Sequence, residues 1–403
     1  MAELTKFDPR ISPFTRGVAD TPAPQAFYSD KSGNVRAERI EGVVHLYRMA
    51  DIVAINRHPA VTAQGGRGGS FGNDNPLIPL EIDGEDHRKW RRLLDPMFSP
   101  KQVARLEDSV RMLAAELIEK FADSGHADLA AQFCVPLPCL IFLRFVGAPV
   151  EDLDFFLAFK DGVIHPKGDT QEEIDANMAE AGGKLLEYFA GFLAKRRAET
   201  EPAEDIIYKL LHSEVEGQPL TDLELLNILF LFMFAGLDTV TSSMSCTFAW
   251  LAQHPEERQR LVDDPSLIPA AVEEIMRYES PVPSGTRYSD KEDIDLGDGL
   301  VIKKGEAMHM VWAAANVDPD VFPAPLTVDF SRRPNHIVFA SGTHRCLGSH
   351  LARLEMRLAV EEFLKRIPDY SIALEEELVY DNIAVRNVTY LPIAFKPRVG
   401  APA

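Results

Sequence analysis

The chain has 403 residues, 46% of them hydrophobic, which is enough for one large buried core or two smaller ones. Its 42 basic residues are outnumbered by 62 acidic ones, and the formal net charge of -20 excludes nucleic acid as a partner and favours a protein that works in water. The 4 cysteines are too few for a disulfide framework in a chain of this length.

The first part of the chain, to about residue 60, predicts a small β-containing region. It mixes proline and glycine with a β-like run at Gly42–Tyr47, followed by a short helical pattern through Asp51–His58. The opening residues, MAELTKFDPRISPF, hold no apolar run that could serve as a signal or an anchor. We therefore expect a cytoplasmic protein with no membrane segment.

Residues 64–79, QGGRGGSFGNDNPLIP, predict a loop that is too long for a tight turn. Its glycines do not have the GxGxxG spacing of a nucleotide-binding loop, and no strand ends cleanly before it. Both observations disfavour a nucleotide site here.

Helical patterns begin at Asp83 and continue to about residue 199. Apolar residues that recur every three or four positions predict one long amphipathic helix, with a buried face made of Val103, Leu106, Val110, Leu113, Leu117 and Phe121. The charged run at 195–205, KRRAETEPAED, breaks this pattern and predicts a solvated connection.

A second long helix is predicted after this connection. Thr221 and Glu224 have the spacing of a capping box, and helical sequence continues to His254, just before a proline. Polar residues and a glycine interrupt its apolar run, so a core helix fits better than a membrane span.

The remaining chain alternates between short helices and strand-like segments. A helix at 270–278 precedes a turn-rich, strand-like stretch at 282–309, and a Pro-rich meander follows it. The last helix, at 348–366, ends before Pro368, and β-like segments close the chain. These patterns predict a mainly α protein with small β sheets.

The decapeptide FASGTHRCLG, from Phe339 to Gly348, places one cysteine in a frame of glycines directly before a helix. The thiolate of Cys346 could hold a haem iron from one side, and amides at the helix start would stabilise its charge. Gly342 and Gly348 would let the backbone approach the macrocycle closely. Two alternatives are a buried structural cysteine and a zinc site, the latter built from His336, His344, Cys346 and His350.

The pattern aromatic-x-x-Gly-x-His-Arg-Cys-x-Gly resembles the haem-binding signature of the cytochrome P450 monooxygenases. One departure is Ala340, where the family usually has glycine. The resemblance implies the P450 fold, with a large α-rich region and a smaller β-rich region, as a single domain over 1–403 without a fused reductase. It also implies haem b (iron protoporphyrin IX) as cofactor, Cys346 as its metal ligand, and Phe339 packed beside the sulfur.

The long helix contains the run Ala235-Gly236-Leu237-Asp238-Thr239, which puts an acid and an alcohol in one turn of apolar sequence. On these residues alone, a threonine at a helix kink and an aspartate in an ion pair would explain the run. The run is similar to the family's acid-alcohol pair, which implies that Thr239 holds dioxygen by a hydrogen bond and that Asp238 relays protons.

Further residues receive roles from the same resemblance. Glu274 and Arg277 match the family's Glu-x-x-Arg pair, and Arg332 is the best match for the arginine to which that pair locks in the meander. Their role would be structural. The cationic side chains expected at the haem propionates are those of His87, Arg91, Arg287 and His344.

The segment Arg88–Arg92, RKWRR, is a basic run on an acidic protein. The family architecture would place it near the cysteine side of the haem, where an acidic electron-transfer protein could dock. A solvated helix face is the alternative. The resemblance implies a separate ferredoxin with an NAD(P)H-dependent ferredoxin reductase as the source of electrons.

The predicted activity is hydroxylation of a compact hydrophobic substrate by a monomeric enzyme. The residues expected to line its pocket are small or apolar: Leu231, Phe234, Ala235, Val282, Ser284, Ala384 and Val385. The runs GLDTV and KRIPDYSIA look like the camphor-hydroxylating branch of the family, which points to a terpenoid or norisoprenoid. A peroxide-driven peroxygenase and a non-catalytic haem- or zinc-binding protein remain as alternatives.

Overall fold

The computed structural model describes residues 23–64, 69–70, 73–200, 203, 205–381 and 385–397. The protein is 55% helical with small sheets, which confirms the predicted fold class. The helices are α1 (Gln25–Asp30), α2 (Met49–Ile55), α3 (Gly84–Leu94), α4 (Pro100–Val103), α5 (Glu107–Glu119), α6 (Pro136–Val146), α7 (Leu153–Ile164), α8 (Gln171–Arg197), α9 (Ile206–Leu211), α10 (Asp222–Gln253), α11 (Pro255–Asp263), α12 (Ile268–Glu279), α13 (Trp312–Ala315) and α14 (Ser349–Arg366).

The strands are short and form one five-stranded sheet, one three-stranded sheet and three hairpins among the described residues. They are β1 (Ala37–Ile40), β2 (Val43–Leu46), β3 (Val61–Thr62), β4 (His126–Asp128), β5 (Glu214–Val215), β6 (Gln218–Pro219), β7 (Gly285–Ser289), β8 (Ile294–Asp295), β9 (Val301–Ile302), β10 (Ala307–Met310), β11 (Tyr370–Ile372), β12 (Val379–Asp381), β13 (Asn387–Tyr390) and β14 (Pro392–Phe395). The largest sheet has the order β1-β2-β10-β7-β3, and the three-stranded sheet has the order β11-β14-β4.

Helix α10 is the axis of the main core. Thr221 and Glu224 form the predicted capping box at its start, and its 32 residues extend roughly 48 Å at 1.5 Å per residue. It packs against α6, α7, α8, α12 and α14. The helix is long and apolar enough to cross a membrane, but 61% of its most apolar window is buried inside the protein. The surrounding helices therefore cover it as a core helix.

The predicted long amphipathic helix over 103–121 is wrong in its continuity. Helix α4 ends at Val103, a 3-10 turn spans Ala104–Leu106, and α5 then begins at Glu107. The tighter winding of the 3-10 turn changes the helical phase, so that Leu106 is only half-buried. The other residues of the predicted face remain buried: Val103, Val110, Leu113, Leu117 and Phe121.

The described residues of the charged run at 195–205 are mostly exposed, as predicted, and Arg196 is a buried exception. Helix α8 continues to Arg197, and Arg196 is buried. The Nη1 atom of Arg196 lies 2.7 Å from Oδ2 of Asp205, which also caps α9, and it donates to the carbonyl of Gly147. This buried ion pair anchors the connection between α8 and α9.

A buried histidine pair lies in the middle of the five-stranded sheet. His45 on β2 faces His309 on the parallel strand β10, with ring centroids 4.9 Å apart. Burial is the main reason why the pKa of each ring falls to about 4. Both rings must therefore gain a proton on unfolding at mildly acidic pH.

This pair predicts acid destabilisation. The folded-state pKa values lie below the usual value for histidine of roughly 6.5, so the stability that the neutral rings contribute is present above that pH and is lost as pH falls toward 4. We expect the urea midpoint to fall between pH 7 and pH 5, and to fall less in His309→Gln. His126→Gln, at an exposed ring, is the control. An equally steep loss in His309→Gln would contradict this assignment.

Candidate active site

The cysteine loop, Phe339–Gly348, is a compact segment between the Pro-rich meander and α14. The amide of Cys346 donates to the carbonyl of Phe339 at 2.9 Å, and a 3-10 turn spans Gly342–His344. Ala340 has φ 55° and Gly342 has φ 72°, both in the left-handed region. Because alanine rarely adopts that region, the departure from the family's glycine leaves the loop strained at Ala340.

Gly342 permits a close approach, but to protein backbone. A Cβ atom at this position would lie 2.2 Å from the carbonyl oxygen of Asn56, whose side chain donates to Ser341 at 2.9 Å. At Gly348 the same atom would meet nothing within 4 Å. The structure thus assigns Gly342 to packing against the end of α2, which is a different reason from the one the sequence predicted.

Cys346 is the exposed member of the four cysteines, whereas Cys134, Cys139 and Cys246 are buried. The protein around its sulfur raises the pKa of the thiol through desolvation, while a hydrogen bond from the backbone of Gly348 and the charge of Arg91 lower it. A metal ion bound at the sulfur would favour the thiolate further. The loop therefore presents one accessible sulfur whose charge the helix start supports.

The predicted propionate ligands are brought together beside this loop. The rings of His87 and His344 are 4.2 Å apart, and Arg91 and Arg287 lie close enough to lower the pKa of both rings. Two acidic residues contact the cluster: Oδ1 of Asp83 lies 3.4 Å from Nε2 of His344, and Oδ1 of Asp95 lies 2.6 Å from Nε of Arg91.

Two members of this cluster are buried without a carboxylate partner among the described residues. The Nε2 atom of His87 is buried and has no hydrogen-bond partner among the described residues. Arg287 is buried, burial lowers its pKa to about 10, and it forms no ion pair with the described residues. Buried donors in this state fit an anionic group such as a pair of carboxylates.

Helix α10 passes the acid-alcohol pair without a break. The Thr239 hydroxyl donates to the carbonyl of Ala235 at 2.9 Å, and Ala235 is exposed although most of the helix is buried. A Cβ atom at Gly236 would lie 2.7 Å from the ring of Phe142 on α6, so the glycine lets α6 pack against this turn.

Thr239 is the first in a series of residues on α10, the hydroxyl ladder, whose side-chain hydroxyl groups donate to carbonyls of the same helix. Each of the next members donates to the carbonyl four residues earlier, at distances of 2.8 to 3.0 Å: Thr241, Ser242, Ser243 and Thr247. Such bonds satisfy polar side chains inside a buried helix.

Asp238 is buried, and within the described part of the chain neither of its carboxylate oxygens has a hydrogen-bond partner. Desolvation raises the pKa of this carboxyl, and the charges of Lys160 and His165 oppose that rise. The Nζ atom of Lys160, on α7, lies 3.5 Å from Oδ1 of Asp238. The sequence pattern identified the acid but not this cation, which lies 78 positions earlier in the chain.

The predicted structural triad is assembled as expected. Glu274 and Arg277 are fully buried, with two contacts of 2.8 and 2.9 Å, and Nε of Arg332 lies 2.9 Å from Oε1 of Glu274. Arg277 also donates to the carbonyls of Asn316 and Pro325 in the meander. The triad thus joins α12 to the segment that leads into the cysteine loop.

A second clamp was not predicted from the sequence. Glu273 accepts from Nε of Arg353 on α14 at 2.7 Å, and its Oε2 lies 3.0 Å from Nε2 of His336. His336 therefore belongs to this clamp, and His344 lies beside His87. Within the described ranges no group of three or more His, Cys, Asp or Glu side chains could hold a metal ion, which weighs against the zinc alternative.

The described members of the predicted substrate residues fall into two groups. Leu231, Phe234 and Ala235 follow one another along α10. Val282 and Ser284 precede β7, Val385 precedes β13, and the Arg386 amide donates to the Pro281 carbonyl at 2.6 Å, which joins these two segments. Ala384 lies outside the described residues.

Comparison with known proteins gives consistent matches. The family model described as Cytochrome P450 matches residues 170–367. Cytochrome P450 CYP107DY1 of Priestia megaterium is 34% identical over 318 residues, 78% of this chain and 76% of that protein. A steroid C26-monooxygenase of Mycobacterium tuberculosis is 29% identical over 93% of this chain and 98% of its own length.

Solved structures agree with this pattern. A mutant of P450 EryK in complex with erythromycin B superposes with a TM-score of 0.84 at 27% identity, covering 94% of this chain and 97% of that one. P450BioI in complex with an acyl carrier protein that carries hexadec-9Z-enoic acid gives a TM-score of 0.85 at 25% identity, covering 95% of this chain and 100% of that one.

The Glu274 triad predicts a large stability effect. Glu274→Ala would leave the buried guanidinium of Arg277 without its carboxylate, and we expect a loss of about 3–5 kcal/mol in unfolding free energy, measured by chemical denaturation. Arg332→Ala, which removes one of the two cations, should destabilise less. The control is Arg333→Ala at an exposed neighbour, with a change within about 0.5 kcal/mol. A Glu274→Ala midpoint equal to the control's would refute the role.

Proposed function

This chain belongs to the cytochrome P450 family of haem b monooxygenases, and on that premise we propose that it hydroxylates a compact hydrophobic molecule with dioxygen and two electrons. The assignment of the site rests on one observation. Cys346 is an accessible thiol in the cysteine loop and lies beside the cluster of His87, Arg91, Arg287 and His344. When bound, the haem supplies an iron that activates dioxygen for insertion of one oxygen atom into a C–H bond.

The residues present fit this cofactor. Cys346 would ligate the iron as a thiolate, with the backbone of Gly348 stabilising its charge. His87, Arg91, Arg287 and His344 would hold the propionates, since Nε2 of His87 has no hydrogen-bond partner and Arg287 has no ion pair among the described residues. Phe339 lies three residues before Gly342 and would pack beside the sulfur.

Thr239 and Asp238 would handle protons on the other side of the site. The Thr239 hydroxyl, on the exposed turn with Ala235, can accept a hydrogen bond from a water, and it could donate to an oxygen molecule after rotating away from the Ala235 carbonyl. Asp238 can hold a proton at near-neutral pH more readily than an exposed aspartate, because burial raises the pKa of its carboxyl. Lys160 opposes that rise and keeps the carboxylate within reach of a cation.

We propose a terpenoid or norisoprenoid as substrate, since the candidate pocket residues on α10 and beside β7 are apolar or small. The names of two relatives indicate other substrate classes for those proteins. One is a steroid C26-monooxygenase, and the other is a cytochrome P450 of polyketide biosynthesis. A panel of terpenoids, steroids and fatty acids, screened for the spin-state shift at the haem, separates these classes.

We also propose that electrons come from a ferredoxin and its NAD(P)H-dependent reductase, with the chain acting as one monomeric haem domain in the cytoplasm. The basic run of α3 is less available for docking than its sequence indicates, because Arg88 and Arg92 pair with Glu85, and Lys89 pairs with Asp86. Exposed Arg345, in the cysteine loop, forms no ion pair among the described residues and is the better candidate for an acidic partner.

Replacement of the proposed iron ligand gives a direct test. Cys346→Ala should lose the thiolate-type Soret band of the dithionite-reduced, carbon monoxide-bound protein, because no sulfur would remain to ligate the iron. Cys246→Ala, at a buried cysteine on α10, is the control and should keep the band. A normal thiolate-type band in Cys346→Ala would rule out the assignment.

Replacement of the alcohol tests the proton role. Thr239→Ala should bind substrate within about twofold of the wild type but form severalfold less product per NADH and more hydrogen peroxide, because the hydroxyl that orients oxygen is lost. Thr241→Ala is matched, since its hydroxyl makes the same back-bond in a buried position, and its coupling should not change. Unchanged coupling in Thr239→Ala would count against this role, and equal turnover of the wild type with peroxide alone would favour the peroxygenase alternative.

A further inference from the structure

Helix α7 is held by charged contacts at two points near its C-terminal end. The first is buried: Nζ of Lys160 lies 3.5 Å from Oδ1 of Asp238 on α10 and 3.1 Å from Oδ1 of Asp161. Packing of the Phe159 ring against the Phe230 ring, with centroids 5.4 Å apart, adds an apolar contact with α10. Helix α7 therefore lies across α10 between Phe230 and Asp238.

The second contact lies just beyond the helix. His165 follows α7 and begins the connection to α8, and its Nδ1 is 3.1 Å from Oδ2 of Asp381, the last residue of β12. The two side chains are 23% and 30% exposed, but the Nδ1 atom itself is buried, so the contact lies just below the protein surface. It joins two segments that are 216 positions apart in the chain.

The hairpin that carries Asp381 also rests on α10. The Ser245 hydroxyl donates to the side chain of Asn387 at 2.7 Å, and the Val388 amide donates to Ser245 at 3.1 Å. Helix α7 thus contacts α10 before Thr239, and the β12–β13 hairpin contacts it after Thr239. The contact between His165 and Asp381 bridges the two elements on either side of the exposed turn at Ala235 and Thr239.

We infer that His165 and Asp381 form a closing contact that limits the entry of ligands to the site above Thr239 and opens when His165 loses its proton. This inference rests on the proposed function, because it concerns access to the same pocket. It assigns His165 and Asp381 as positioning residues that touch neither substrate nor cofactor.

The charges around His165 support a response near neutral pH. The Asp381 carboxylate is the largest influence and raises the pKa of His165; desolvation lowers it, Asp238 raises it and Lys160 lowers it. Because the folded-state pKa is raised, the charged contact is complete at pH below the ordinary histidine value and is lost as pH rises through the raised value. A partly exposed ion pair of this kind changes an equilibrium by about two- to fivefold.

The test uses the haem-loaded enzyme and 4-phenylimidazole, whose binding to the iron is followed by stopped-flow absorbance from pH 6 to pH 9. His165→Asn should bind and release the probe about two- to fivefold faster than the wild type at pH 6, and the two proteins should converge by pH 9. Since rates are compared between proteins at the same pH, ionisation of the probe cancels.

Two further variants separate charge from packing. His165→Lys carries a cation that stays protonated to about pH 10, so its rates should remain slow through pH 9. Asp381→Asn should match His165→Asn, and the double variant should be no faster than either single variant. His212→Asn, at an exposed histidine of the connection after α9, is the control and should keep the wild-type profile.

Wild-type rates and pH profile in both His165→Asn and Asp381→Asn would overturn the inference, as would fast entry in His165→Lys. The carbon monoxide-bound spectrum of each sample reports the proposed iron ligand separately. A variant with a normal thiolate band and unchanged entry rates therefore contradicts the closing contact alone, whereas loss of the band in the wild type contradicts the proposed site.

Discussion

Two adjacent carboxylates on α12 fix the position of the cysteine loop. Glu274 binds Arg277 and Arg332, and Arg277 reaches the carbonyl of Asn316, whose side chain accepts from the amide of Ile337 at 2.8 Å, just before the loop. The neighbouring Glu273 contacts His336 before the loop and Arg353 after it. Because an unpaired buried charge costs several kcal/mol, these contacts allow little freedom in where Cys346 lies. The catalytic roles proposed for α10 need an iron at a fixed distance, so they depend on this support.

The distribution of charge also differs from what the composition indicates. On α3, Arg88 and Lys89 form ion pairs with acidic residues of the same helix. His87 and Arg287, in contrast, are buried with few acidic neighbours. Burial lowers the pKa of His87 to about 4, so the buried positive charge beside the cysteine loop comes from Arg287. Partner recognition would then rely on shape and on a few exposed cations such as Arg345, with a correspondingly modest dependence on salt.

Features that depend only on residues close together in the sequence could be predicted well. The capping box at Thr221 and Glu224 and the 32-residue helix that it starts depend on neighbours only a few positions away. Apart from the local break at Ala104–Leu106, the predictions that failed depend on distant partners. Composition gave no sign that Arg196 would be buried with Asp205, because a charged run looks the same whether it meets water or a buried acid. The contacts of Lys160 with Asp238 and of His165 with Asp381 likewise join residues whose separation no periodicity encodes.

The hydrogen bond that Thr239 makes in the hydroxyl ladder of α10 determines which further hydrogen bonds its side chain can form. A hydroxyl group has one proton, and that of Thr239 is committed to the carbonyl of Ala235. In this orientation the oxygen offers lone pairs only, so it can accept from a neighbouring group that carries a proton but cannot donate to one that lacks it. Donation in the other direction requires rotation about the side-chain bond and leaves a helix carbonyl unsatisfied. In this orientation Thr239 can accept a hydrogen bond but cannot donate one. It therefore favours a neighbouring molecule that carries a polar hydrogen over one that lacks it, whatever the charge of either molecule.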